Sequence, residues 1–296
     1  MRRGFLIPLL SIIISPFVFS SGTNESATHQ LMVYASIPPQ AYLVERIGGG
    51  NVSVEVLVKP GKDPHTFDPS PREMVALAQS AIYFTIGFPF EEQLLAKVEK
   101  SNPQLAMIIS DRGVKRRKPD VPGDYHSGQG ADEKHSDPHV WLSVRNSMII
   151  AVNIHNALAE ADPGNADEYK MNLELLLQDL GALDRKISTL LQPLQGRDFF
   201  VFHPSFGYFA DDYGLNQVAV EIEGKSPTPR QIEYLIEQAQ AAGVKIIFVQ
   251  LQFDSRSASV IADSIQGTVI SLDPLAYDLI ENFEDMAVKI EKALTR

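Results

Sequence analysis

Cysteine is absent from all 296 residues, which excludes disulfide staples, thiolate metal sites, cysteine nucleophiles and a lipid-modified cysteine. Any metal held by this chain must therefore be held by imidazole and oxygen. Basic residues are few: 26 Lys and Arg against 37 Asp and Glu leave a net charge of −11, so a nucleic-acid partner is not expected. A long apolar run is also missing. The stretch from Phe5 to Phe19 is interrupted by Pro8, Ser11, Ser15 and Pro16, and falls short of the roughly 20 apolar residues needed to span a bilayer. With Arg2 and Arg3 before it and small polar residues from Ser20 to Thr23 after it, residues 1–20 read as a signal peptide rather than a membrane anchor. The expected mature protein is a soluble monomer in a bacterial periplasm, without a lipid anchor.

What is present is ordinary globular composition, 44% hydrophobic and 21% charged. The length favours two lobes of about 100–150 residues over one core. An internal repeat supports the division. At a shift of 166, Pro38 meets Pro204, Tyr42 meets Tyr208, Val52 meets Val218, Val54 meets Val220 and Glu55 meets Glu221. Each copy then reaches a proline-led helix start, Ser70-Pro71-Arg72-Glu73 and Thr228-Pro229-Arg230-Gln231, with a hydroxyl cap and Glu or Gln three residues on. Apolar β-rich runs follow at Ile82 to Ile86 and Leu105 to Ile109, and again at Ile246 to Val249 and Thr268 to Leu272. Strands alternating with helices predict, in each copy, a parallel sheet covered on both faces.

From about Asn165 to Leu191 the apolar positions Tyr169, Leu173, Leu176, Leu177, Leu180, Leu183, Ile187, Leu190 and Leu191 keep a 3.6-residue period. A helix of roughly 40 Å is expected there. The fold class is α/β, with two similar lobes joined by one long connecting helix: an N-terminal lobe over 29–160, the connector over 165–192 and a C-terminal lobe over 197–296.

Seven histidines are present, and none forms H-E-x-x-H, so a metal site has to be assembled over long range. Ligands of open α/β sheets gather outside the carboxyl ends of strands. His65 follows the strand Val52 to Val58, His203 closes Phe199-Phe200-Val201-Phe202, and Asp273 closes Val269-Ile270-Ser271-Leu272. His139 sits in the proline-ordered loop Asp137-Pro138-His139-Val140-Trp141-Leu142 before a helix. Three imidazoles and a carboxylate make a four-coordinate set suited to zinc, whereas Mg or Ca prefers oxygen alone.

Four blocks carry a resemblance: Pro60-Gly61-Lys62-Asp63-Pro64-His65-Thr66-Phe67, then Asp137 to Leu142, then His203-Pro204-Ser205-Phe206-Gly207-Tyr208-Phe209-Ala210 with Tyr213-Gly214-Leu215, and Leu272-Asp273-Pro274-Leu275. In that order they resemble the metal-binding solute-binding proteins of ABC zinc and manganese importers, the ZnuA/TroA type. The resemblance implies one metal in a cleft between the lobes, held by His65, His139, His203 and, as in members with an acidic fourth ligand, Asp273. It implies no enzymatic activity and an inner-membrane ABC permease as partner. Manganese members tend to carry a carboxylate where this chain has His203, so Zn2+ is the expected cargo, with Mn2+ or iron the alternative.

Between Arg112 and Ser136 the pattern turns to Gly, Pro and charge, with His126 and His135 as candidates for a secondary zinc-collecting site. Lys115-Arg116-Arg117-Lys118 reads as a solvated turn. A zinc hydrolase using the same ligands would need an acidic base, for which Glu221 and Glu223 are candidates. A surface adhesin or metal chaperone is the remaining class.

Overall fold

The computed structural model describes residues 30–119, 136–219, 229–252 and 256–295. The expected leader, His29, His126, His135, Glu221, Glu223 and the cap at Thr228 lie outside them.

In chain order the elements are β1 (Leu31–Ala35), α1 (Pro38–Gly48), β2 (Val52–Val56), α2 (Pro71–Leu77), β3 (Ile82–Thr85), α3 (Pro89–Ser101) and β4 (Ala106–Ile109). Next come α4 (Val144–Ala161) and α5 (Ala166–Leu191). The second set is β5 (Asp198–Val201), α6 (Gly207–Tyr213), β6 (Asn216–Ala219), α7 (Pro229–Ala241), β7 (Ile246–Gln250), α8 (Arg256–Ser264), β8 (Thr268–Leu272) and α9 (Leu279–Leu294). Two four-stranded sheets result, ordered β2-β1-β3-β4 and β6-β5-β7-β8. Every pairing is parallel. The repeat seen in the sequence is thus a repeat of topology, and the fold is the expected pair of α/β lobes.

Strand alternation explains why both faces of each sheet are covered. Phe199, Val201, Ile246 and Phe248 face the central core, while Phe200, Phe202, Ile247 and Val249 face an outer core under α7 and α8. The first sheet divides the same way, with Ile82 and Phe84 inward and Tyr83 outward with Leu77 and Leu94. A period of two with apolar residues on both phases is what a doubly covered parallel sheet requires. The Ser70 cap forms as expected: its hydroxyl accepts from Glu73 N, and the Glu73 carboxylate returns to Ser70 N at 2.7 Å.

The long helix α5 joins the two sets. Its 26 residues span about 39 Å at about 1.5 Å each. One stripe, Tyr169, Leu173, Leu176, Leu180, Leu183, Ile187 and Leu191, is buried, and the helix packs against α1 and α4 of the first half and α6 and α9 of the second. The central core therefore runs through both lobes. Among the described residues no helix is long and apolar enough to cross a membrane.

Leu176 is fully buried on this stripe and Leu175 is 52% exposed beside it. Leu176→Ala is expected to cost about 2–5 kcal/mol in urea denaturation, and Leu175→Ala to stay within about 0.5 kcal/mol. Equal effects would show that the stripe does not carry the packing.

Candidate metal centre

The carboxyl ends of the strands from both sheets meet where the lobes join. His65 arrives on the loop after β2, whose ladder continues past the strand through Leu57 N to Ala35 O and Val58 N to Ser36 O, both at 3.0 Å. An Asx turn then sets the loop: His65 N donates to Asp63 Oδ1 at 2.9 Å and the Thr66 hydroxyl to Asp63 Oδ2 at 3.0 Å. His203 stands directly after β5, between strands leading in opposite directions across the sheet, which is the switch point of this topology. The Gln250 side chain at the end of β7 fixes its backbone, accepting from His203 N at 3.1 Å and donating to His203 O at 2.6 Å. His139 precedes α4, which starts at the cap Ser143.

These three histidines converge. His139 Nε2 lies 3.1 Å from His65 Nε2 and 3.2 Å from His203 Nε2. Among the described residues they form the one group of candidate ligands whose donor atoms all lie within 4.8 Å of one another. Tetrahedral zinc with bonds of about 2.0–2.1 Å places neighbouring nitrogens roughly 3.3 Å apart, close to the separations seen. His139 and His203 are buried; His65 is open to the surface overall, with Nε2 turned inward.

Asp137 orients His139. Its Oδ1 accepts from His139 Nδ1 at 2.7 Å and from His139 N at 3.0 Å, and its Oδ2 accepts from Arg117 Nη1 at 3.1 Å. Burial pushes the Asp137 carboxyl up, but His139 and Arg117 outweigh it and hold it below its usual range. An ionised carboxylate only accepts, so Nδ1 carries the proton and Nε2 presents a lone pair to the cluster. Desolvation, followed by His139 and His203, lowers His65 from 6.5 to about 2. Desolvation also lowers His139, partly offset by Asp137.

Apolar rings supply that desolvation. Phe88 meets His65 edge-on at 5.6 Å, and Trp141 lies 5.3 Å from Phe88 and 5.4 Å from His139. Phe88 is held by buried Glu91, which accepts from the backbone N–H groups of Ile86, Gly87 and Phe88 at 2.7–3.2 Å and from the Ser36 hydroxyl at 2.5 Å. The φ of +95° at Gly87 makes glycine the suited residue for that turn. Burial raises Glu91 to about 7 against these hydrogen bonds.

Asp273 stands apart from the cluster. Its Oδ1 accepts from Gln252 Nε2 at 2.9 Å and from Leu275 N at 3.0 Å, closing its own turn after β8. Gln252 Oε1 is buried with no hydrogen-bond partner among the described residues. Sequence reasoning assigned no role to Asp137, Glu91, Gln250 or Arg117. Asp137 carried a signal, lying two residues before His139, whereas the others are brought in only by the tertiary fold. Nor is Arg117 the solvated residue expected of its charge run: its side chain is 16% exposed.

Comparison with known proteins agrees with this architecture. Residues 33–294 match the profile of the family described as ZnuA, zinc-uptake complex component A, periplasmic. A crystal structure of ZnuA superposes with a TM-score of 0.82 at 38% identity, covering 89% of this chain and 99% of that one. The metal ABC transporter substrate-binding lipoprotein SsaB of Streptococcus sanguinis is 29% identical over 88% of this chain and 85% of its own length. The zinc-binding protein AdcA of Streptococcus pyogenes is 28% identical over 84% of this chain, which spans only 51% of AdcA.

Between 6.5 and the lowered value, an unfolded His65 binds a proton that the folded one refuses, so metal-free stability falls as pH drops below 6.5. Glu91, raised from 4.5 to about 7, acts oppositely, its stabilisation being lost as pH rises through that range. Comparing melting temperatures of wild type and His65→Gln between pH 7 and 5 isolates the histidine. The variant is expected to lose less stability on acidification; identical slopes would contradict the depressed imidazole.

Proposed function

The chain belongs to the ZnuA family, and from that membership we propose that it is the periplasmic solute-binding component of a metal ABC importer, capturing Zn2+ between its lobes and delivering it to an inner-membrane permease. The family consists of substrate-binding proteins, not enzymes. The observation that carries the proposal is the convergence of three Nε2 atoms from two lobes, one of them presenting its lone pair because Asp137 holds its Nδ1 proton.

His65, His139 and His203 are the proposed ligands. Three imidazoles favour a borderline ion over the harder manganese ion, and this supports zinc as the cargo. Asp273 is the proposed fourth donor, exchanging the Gln252 amide for the ion. Asp273 is met by the neutral amide of Gln252 and the backbone N–H of Leu275, and among the described residues Gln252 Oε1 is buried without a hydrogen-bond partner, so this pair is incompletely satisfied. The names of AdcA and SsaB, zinc-binding and metal ABC transporter substrate-binding, accord with this reading.

Metal analysis with competition titration is the direct test: one zinc per chain is expected, held against manganese excess. His65→Ala and His139→Ala are each expected to weaken zinc at least tenfold, about 1.4 kcal/mol. Unchanged affinity in both would refute the assigned site. Asp273→Asn is expected to weaken it too, and wild-type affinity there would remove Asp273 from the ligand set.

A further inference from the structure

We propose that Arg117 is a positioning residue that couples the seating of the two lobes to zinc ligation by His139. The inference rests on the zinc-binding reading above and adds a residue to it.

Arg117 touches both lobes. In the first it donates from Nη1 to Asp137 Oδ2 at 3.1 Å, and its carbonyl accepts from Asp137 N at 3.0 Å. In the second, Nε donates to Asp211 Oδ2 on α6 at 2.9 Å, and the guanidinium lies 5.9 Å from the Tyr208 ring centroid. Tyr208 closes the loop: its hydroxyl accepts from Arg117 N at 3.2 Å and donates to Asp137 O at 2.9 Å. The guanidinium lies so close over the first turn of α6 that a Cβ on Gly207 would fall 1.9 Å from Nη1. Gly207 therefore makes room for this arginine, four residues beyond His203.

Asp137 is the shared element. One oxygen takes Arg117 and the other takes His139, so the carboxylate cannot turn without disturbing both. Its side chain is only 2% exposed, which makes the guanidinium its charge partner in a poorly solvated place. If α6 moves away with its lobe, Arg117 must release Asp211 or draw Asp137 from His139. Lobe separation thereby loosens the ring that carries the central Nε2. Reciprocally, a zinc ion that fixes His139 and His203 favours the seated Arg117. Planarity and the forked donors suit arginine to bridging two carboxylates, whereas a lysine ammonium reaches them as a single point.

The test is a double-mutant cycle read as zinc dissociation constant and off-rate on the full mature chain, with circular dichroism as the folding check. Arg117→Gln is expected to weaken zinc about tenfold or more through a faster off-rate, as for other groups that orient metal ligands. Arg117→Lys is expected to recover part of the loss. Asp211→Asn, at a carboxylate whose side chain is 57% exposed, leaves folding undisturbed and is expected to weaken zinc about two- to fivefold. In the double variant Asp211→Asn should add nothing. Wild-type affinity in Asp211→Asn, or simple additivity of the two losses, overturns the proposal, and these variants remain decisive should Arg117→Gln fail to fold. A wild-type protein that does not bind zinc overturns the transport reading itself, whereas normal wild-type binding with unaffected variants overturns only the role of Arg117.

Discussion

The hydrogen bond from His139 Nδ1 to Asp137 is the interaction on which the centre depends. A neutral imidazole has one lone pair and one proton, and without a partner for the proton either nitrogen can carry it. Asp137 removes that ambiguity and aims the lone pair at the point where His65 and His203 also arrive. It does so as a buried anion, a state that needs compensation. Arg117 and His139 supply it. The ligand geometry, the charge balance and the contact between lobes are therefore tied to one carboxylate.

Duplication explains where that centre lies and why it is not symmetric. Both sheets share the order of strands, and each offers loops at its carboxyl edge. At the 166-residue shift the counterpart of His203 is Ile37, fully buried in the central core. The last strands diverge similarly. Ile82 pairs with Ala106 and Ile246 with Thr268, and five residues further along each strand stand Asp111 and Asp273. Arg116 pairs with the carboxylate of Asp111, so a cation is already in place there. The counterpart Asp273 meets an amide and a backbone N–H. One copy has thus paired its strand-end acid with a cation, while the other has left it to neutral partners.

The architecture was legible because it rests on periodic features. The alternation of apolar residues, the proline-led helix starts and the stripe from Tyr169 to Leu191 each bury a face, and burial is written residue by residue into the pattern. His65 and His203 could be nominated from their places after strands, since strand ends are positions that local sequence marks, and His139 from its proline-ordered loop before a helix. What could not be read was anything decided by side-chain direction across the fold. Arg116 and Arg117 look alike within a run of four charges, yet one caps Asp111 and the other crosses to α6. Glu91 looks like an ordinary first-turn acid of a helix, and only the fold shows it gathering three backbone N–H groups behind Phe88. Asp273 lies at the strand end where reasoning put it, but its Oδ1 is engaged by a glutamine two residues beyond β7.

A site that holds a cation through neutral imidazoles meets little competition from protons when those imidazoles are kept from titrating near neutrality, as desolvation does for His65 and His139. On the proposed reading, that favours capture near neutral pH. Geometry bears on the same site. The proposed donors are divided between halves that share the central core and also meet through directional contacts. Among these, Trp141 Nε1 donates to Pro274 O at 2.7 Å and the Ser143 hydroxyl to Asp212 Oδ2 at 2.5 Å. Both contacts spring from the segment that carries His139, so the seating of the lobes and the proposed central ligand are tied to one loop. The long helix α5 packs against α1 and α4 of one half and α6 and α9 of the other, so it holds both halves to one frame around that loop.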